Sequence, residues 1–169
     1  LSAILNHAVN MYGLKDNVAR KAGTMGKEEN KEMEFWTQEE FQAFLECVAD
    51  KPISYYAFEI LYWTGIREGE LLALTPGDFN FEKKTLRINK SYQRLEGKDV
   101  ITDPKTSKSN RTIVMPDFFA VEMEDFISSL YGIRDDDRIF TISKSYLHHE
   151  MDRGAKLAGV KRIRIHGLR

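Results

Sequence analysis

Apolar side chains recur at helical spacing through most of the chain and give way to alternation only in its middle. Ile4, Leu5, Ala8, Val9 and Tyr12 mark a helix over residues 2–12 that Gly13 ends. Residues 13–34, with Gly23, Gly26 and a polar run, read as a linker, and the pattern resumes near Phe35. Thr37 followed three residues later by Glu40 is a capping box, and Phe41, Phe44, Leu45 and Val48 line one face of the helix it opens. Pro52 starts the next helix, whose core face carries Tyr55, Phe58, Leu61 and Tyr62 before Gly65 breaks it. A short helix over residues 68–74 follows and stops at Thr75–Pro76–Gly77–Asp78.

The period then falls to two. Residues 79–81, 85–88, the region of Tyr92, 100–102 and 111–115 read as strands, and Glu96–Gly97–Lys98 reads as a turn. Together they predict a small antiparallel meander. Past Pro116 helical spacing returns: Asp117 is placed to cap a helix bearing Phe119, Val121, Met123, Phe126, Ile127 and Leu130. Residues 138–140 suggest a short strand. Ser143 or Ser145 caps a helix through Leu147, Met151, Ala155, Leu157 and Ala158, ended by Gly159, and residues 161–165 lead into a last, truncated helix. The fold class is therefore α+β, mostly helical with a small antiparallel sheet.

Composition narrows the function classes. A chain of 169 residues, 42% hydrophobic and 30% charged, is long enough for one domain with a real core and is unlike a disordered chain. It contains no run of 18 apolar residues, so no membrane span is expected. The start, Leu1–Ser2–Ala3–Ile4–Leu5, lacks a basic leader and reads as the interior of a helix from a longer protein. The single cysteine, Cys47, falls on an apolar helix side and reads as a buried, inert thiol, consistent with a reducing cytoplasmic setting. Charge is segregated. Residues 82–111 hold nine Lys/Arg against four Asp/Glu, and residues 153–169 hold six and none, whereas the remainder carries ten against 22. Two basic stretches that converge would attract a phosphate backbone.

Four cations have the chemistry to grip a phosphate: Arg67, Lys105, His166 and Arg169. Guanidinium forks match the nonbridging oxygens of a phosphodiester, whose charge grows in the pentacoordinate transition state. A lysine at a turn tip, as Lys105 in Asp103–Pro104–Lys105–Thr106, suits protonation of a departing oxygen, and a histidine can donate to the phosphate or shuttle a proton. Each alone has a plainer explanation. Arg67 could simply pair with Glu70 or the acidic surface, Lys105 is a turn lysine, His166 could be a capping or core histidine, and Arg169 a terminal charge. Glu70, three residues after Arg67, reads as a buttress that orients the guanidinium. Asp135–Asp136–Asp137 lacks the alternate-position ligands and closing glutamate of a calcium loop, so no metal is expected there.

The ordered set Thr64–Gly65–Ile66–Arg67–Glu68–Gly69–Glu70, Pro104–Lys105–Thr106 ahead of Arg111–Thr112–Ile113–Val114–Met115–Pro116, and Ala158–Gly159–Val160 leading to His166–Gly167–Leu168–Arg169 resembles the catalytic domain of the tyrosine recombinases, the phage-integrase family. The resemblance covers residues 35–169; residues 1–34 resemble the end of the preceding core-binding domain and its linker. It implies that Arg67, Lys105, His166 and Arg169 are catalytic, with Glu70 supporting. It further implies a tyrosine nucleophile, a 3′-phosphotyrosyl intermediate on double-stranded DNA, a homotetramer, and neither metal nor energy cofactor.

One departure bears on activity. In the family the nucleophilic tyrosine follows the His-x-x-Arg arginine, and this sequence ends on that arginine. Its seven tyrosines, at 12, 55, 56, 62, 92, 131 and 146, all fall elsewhere. The expectation is a recombinase fragment without its nucleophile or C-terminal helices, monomeric and inactive by itself. The rival from another class is a DNA-binding or regulatory module with no catalytic activity. A metal-dependent nuclease or phosphotransfer enzyme finds no ligand cluster.

Overall fold

The structure, a computed structural model, describes residues 1–23, 34–103 and 109–168. The chain divides into two compact units, Leu1–Glu32 and Met33–Arg169. In the first, α1 (Ser2–Tyr12) ends at Gly13 in the left-handed conformation, and a four-residue helix that the pattern did not predict, α2 (Val18–Lys21), follows. Asn17 makes that helix possible. Its side-chain oxygen accepts from the Ala19 N–H at 3.1 Å, and its amide donates to Asn6 Oδ1 at 2.7 Å. The expected apolar face of α1 buries no residue: Leu5, Ala8 and Val9 are half-buried, and Ile4 and Tyr12 are exposed.

The second unit is built from α3 (Gln38–Val48), α4 (Pro52–Thr64), α5 (Glu68–Leu71), α6 (Asp117–Ser129) and α7 (Lys144–Ala158) around a small β region. Thr37 and Glu40 form the predicted reciprocal cap: Glu40 Oε2 accepts from the Thr37 N–H at 2.8 Å and Thr37 Oγ1 from the Glu40 N–H at 3.2 Å. Thr37→Ala should therefore cost about 1 kcal/mol, read as a lowered unfolding midpoint. Phe41, Phe44, Leu45 and Val48 are buried as the spacing requires, and Trp36 packs on Phe44 while its indole N–H donates to the Lys161 carbonyl at 2.7 Å. Gly154 lets α7 approach α3, since a Cβ there would run into the Phe44 ring and Val48. Arg153 adds an electrostatic tie, donating to Glu150 on its own helix and to Asp50 just beyond α3.

The five strands among the described residues, β1 (Phe79–Asn80), β2 (Thr85–Ile88), β3 (Ser91–Leu95), β4 (Lys98–Thr102) and β5 (Arg111–Val114), are antiparallel, but they do not follow meander order. β5 returns to β2, pairing Leu86 with Ile113, and β1 lies on the other edge of β2. β3 and β4 form a separate hairpin around the turn Glu96–Gly97, with Tyr92 opposite Ile101. Lys90 sits at the departure point, where its ammonium bonds Asp78 Oδ2 at 2.5 Å and Thr75 Oγ1 at 3.1 Å. The hairpin is keyed to the body by Arg138, whose guanidinium lies 4.2 Å from the Tyr92 ring centre and donates to Asp99 and to the Leu72 carbonyl.

Several expectations are corrected. Residues 138–140 form no strand; the backbone bends at Ile139, whose N–H donates to the Leu74 carbonyl, and Phe140 is buried, so a tertiary contact stands where a ladder was expected. Asp117 does not cap α6, because it is already the first helical residue and its carboxylate pairs with Lys84 at 2.9 Å. Val121 and Leu157 are exposed, and Cys47 is half-buried. The short helix expected over residues 68–74 stops at Leu71, and the last one is a 3₁₀ turn, Ile165–Leu168. No helix among the described residues is long and apolar enough to cross a membrane.

Candidate phosphate-binding site

Gly65 starts the site. It closes α4 in the left-handed conformation, φ 60° and ψ 25°, where a side chain would be strained, and its N–H returns to the Leu61 carbonyl. The sharp exit buries Ile66 and sets Arg67 at the N-cap of α5 with its side chain 59% exposed. Glu70, one turn on, is buried, and its Oε2 accepts from the Arg67 backbone N–H at 2.9 Å while Oε1 accepts from Arg67 Nη1 at 3.0 Å. The same carboxylate has a second arginine behind it. Arg111, first residue of β5, grips the same carboxylate with Nη1 on Oε1 at 3.1 Å and Nη2 on Oε2 at 2.8 Å. Burial would raise the Glu70 pKa, but the bonds from Arg111 and then Arg67 outweigh it, and the carboxyl lies below its usual range.

Arg67 opens onto a cleft of about 590 Å³ that it shares with Lys144, His148, Arg162, Arg164 and His166. His166 lies on the exposed side of the closing 3₁₀ turn, whose Ile165, Gly167 and Leu168 are buried. Two of the predicted four, Arg67 and His166, thus meet at one cleft. The other two, Lys105 and Arg169, lie outside the described residues. Asp103 and Ser109, the described residues on either side of the Lys105 segment, both line an adjoining hollow that again contains Arg67 and Lys144. Tyr92 lines that hollow as well, but its hydroxyl donates to Asp99 at 2.8 Å, and this bond holds the phenol pKa above its usual value.

The sequence patches resolve into two kinds of cation. Arg153 is committed to Glu150 and Asp50, Lys90 to Asp78, and Arg162 to Asp152 at 2.7 Å. His148 stands 3.3 Å from Glu68. Lys144 makes no hydrogen bond or ion pair to another described residue, and with the exposed Arg67 it concentrates positive charge at the cleft mouth. Sequence reasoning passed over Arg111 and Lys144. Arg111 had a usable signal: it shares a strand face with the half-buried Ile113, and an inward guanidinium demands a carboxylate. No group of three or more His, Cys, Asp or Glu among the described residues is arranged to hold a metal.

The Phage integrase family profile matches residues 34–169, the span that contains every element of this site. The chain belongs to that family of tyrosine recombinases. Among curated family members, the ICEBs1 integrase of Bacillus subtilis (strain 168) is 35% identical over 118 residues, covering 67% of this chain and 31% of the relative. The integrase of Mycobacterium phage L5 is 28% identical over the whole chain, which spans 47% of it. The chain therefore spans less than half the length of these integrases. Among solved structures, the Tn1549 transposon integrase in complex with a circular intermediate DNA superposes with a TM-score of 0.77 at 20% identity, over 99% of this chain and 60% of that one. A lambda integrase dimer bound to a core site gives 0.61 at 15% identity, over 99% and 60%. These likenesses carry the tyrosine-recombinase catalytic fold: mostly helical, with a small antiparallel sheet.

Proposed function

We propose that this chain supplies the phosphate-gripping part of a site-specific DNA recombinase and lacks the nucleophile. The observation that carries the reading is Arg67, held at a cleft mouth beside His166 with its inner edge tied to Glu70 and its outer edge open. In the proposed reaction a tyrosine hydroxyl from outside residues 1–169 gives its proton to solvent as its oxygen attacks the scissile phosphorus, and the bond from phosphorus to the 5′ oxygen breaks. A 3′-phosphotyrosyl link forms, and the departing 5′ oxygen takes a proton from Lys105. Arg67 and Arg169 bind the nonbridging oxygens as their charge grows, and His166 donates a further hydrogen bond. No metal or energy cofactor enters, because the covalent link conserves the phosphoester.

Double-stranded DNA is the proposed partner, with a tetramer formed by the whole protein and a monomer by this chain. The 169-residue chain should bind duplex DNA without cutting it. A roughly fourfold rise in salt should weaken that binding by about tenfold or more, since each neutralised phosphate releases counterions. Electrophoretic mobility at two salt concentrations checks this, and salt-insensitive binding would count against the cleft as the contact surface. Cleavage by the chain alone would refute the missing nucleophile.

A further inference from the structure

Arg67 and Glu70 by themselves form a neutral pair. A carboxylate that pairs fully with one guanidinium cancels the charge a phosphate needs and occupies the donors it would use. In this structure that does not happen, because Glu70 is shared. Each of its oxygens accepts once from Arg67 and once from Arg111: Oε1 from the two Nη1 atoms, Oε2 from the Arg67 backbone N–H and Arg111 Nη2. The carboxylate is buried, so its charge must be matched from within. Arg111 matches it, and the group of three keeps one net positive charge, carried at the cleft on the more exposed of the two guanidiniums: the Arg67 side chain is 59% exposed and that of Arg111 30%.

We propose that Arg111 is a positioning residue of the strand-transfer site, which holds the Glu70 carboxylate so that Arg67 keeps its charge and its outer donors for the scissile phosphate. The proposal rests on the recombinase reading above. Arg111 touches no reacting atom. It acts through Glu70, and also donates to the Ser109 carbonyl at 3.3 Å. Without Arg111 the buried carboxylate would turn wholly onto Arg67 and draw the guanidinium back from the cleft.

The consequence is a reversal that a simple brace would not produce. In a full-length integrase containing this chain, Arg111→Ala should slow covalent complex formation on a nicked DNA substrate by roughly tenfold to a hundredfold. Adding Glu70→Gln to Arg111→Ala should restore part of the lost rate, because it removes the unmatched negative charge, although Glu70→Gln alone lowers the rate. Expressed as a cycle, loss of Arg111 should cost less than about threefold in the Glu70→Gln background. An effect of Arg111→Ala that is equally large in both backgrounds would overturn the proposal and leave Arg111 as a structural brace. So would parent-like cleavage by Arg111→Ala. Should Arg111→Ala show no cooperative unfolding transition, the Glu70→Gln pair with and without Arg111 decides by the same threefold criterion. Arg67→Ala is run beside them: if it cleaves at the parent rate, the recombinase site itself is wrong, whereas a slow Arg67→Ala with an unaffected Arg111→Ala removes only the positioning role.

Discussion

Arg67→Ala, in a full-length integrase that contains this chain, should slow formation of the covalent DNA complex on a nicked substrate by a factor of roughly 10² to 10³. The size follows from the role proposed for the guanidinium. As phosphorus becomes pentacoordinate, the nonbridging oxygens gain charge, and a preorganised donor there acts on the transition state more than on bound DNA. Preorganisation is visible in the left-handed Gly65, the buried Ile66 and the carboxylate of Glu70, which leave the guanidinium little freedom on its inner side. Arg67→Lys should recover only a small part of the rate, since an ammonium keeps the charge but not the paired donors. The fold should survive both changes, because the Arg67 side chain is largely exposed and its backbone N–H to Glu70 remains. Single-turnover cleavage on denaturing gels, with a parallel thermal melt, separates the two effects. Unchanged cleavage would strip Arg67 of its role.

The features that were legible in the sequence are those settled within a few residues. Thr37 with Glu40, Gly65, Ser143 and Gly159 act through their own backbone neighbours, and each stands at the helix end where its chemistry places it. The pairing of Arg67 with Glu70 is of the same local kind. The features missed depend on partners far along the chain. That β5 pairs with β2 and not with the hairpin is decided by Leu86 and Ile113 meeting across more than twenty residues. At residues 138–140 the Ile139 N–H bonds the Leu74 carbonyl in place of a strand ladder, for which no local alternation gives notice. Arg111 looked like one more cation in a basic stretch until Glu70, 41 residues away, was found against it. Net charge over a segment is a poor guide for the same reason. It counts Arg153 with Arg164, although one is locked between Glu150 and Asp50 and the other lines the cleft.

Glu59→Gln should stabilise the protein at alkaline pH by an amount on the order of 3 kcal/mol and have little effect in acid. Glu59 lies on α4, 5% exposed, and one of its carboxylate oxygens finds no hydrogen-bond partner among the described residues. Burial, and then the negative charge of Glu122, push its pKa from 4.5 up to about 7; the nearby indole N–H of Trp63 pulls the other way without reaching hydrogen-bond geometry. The sign follows from linkage. The folded state holds the Glu59 proton more tightly than the unfolded chain does, so folding is least penalised below pH 4.5 and loses stability as pH rises from there to 7, with the full penalty above. A glutamine carries no charge at any of these pH values, so the difference between variant and parent should grow through that window and then level off. Denaturant unfolding at pH 4, 6 and 8 measures it. A difference that is flat across pH would mean that Glu59 titrates normally and that its burial is compensated. The neighbouring acids point the same way: Tyr55 and Tyr56 have raised hydroxyl pKa values, first from burial and then from Glu59 and Glu122 for Tyr55 and from Glu122 and Asp125 for Tyr56. Helix α6 carries Asp117, Glu122, Glu124 and Asp125 and no basic residue, so nothing on that helix offsets the field at Glu59. Glu122→Gln should therefore lower the Glu59 pKa and return a smaller part of the same stability, which makes the two variants less than additive in the same unfolding experiment.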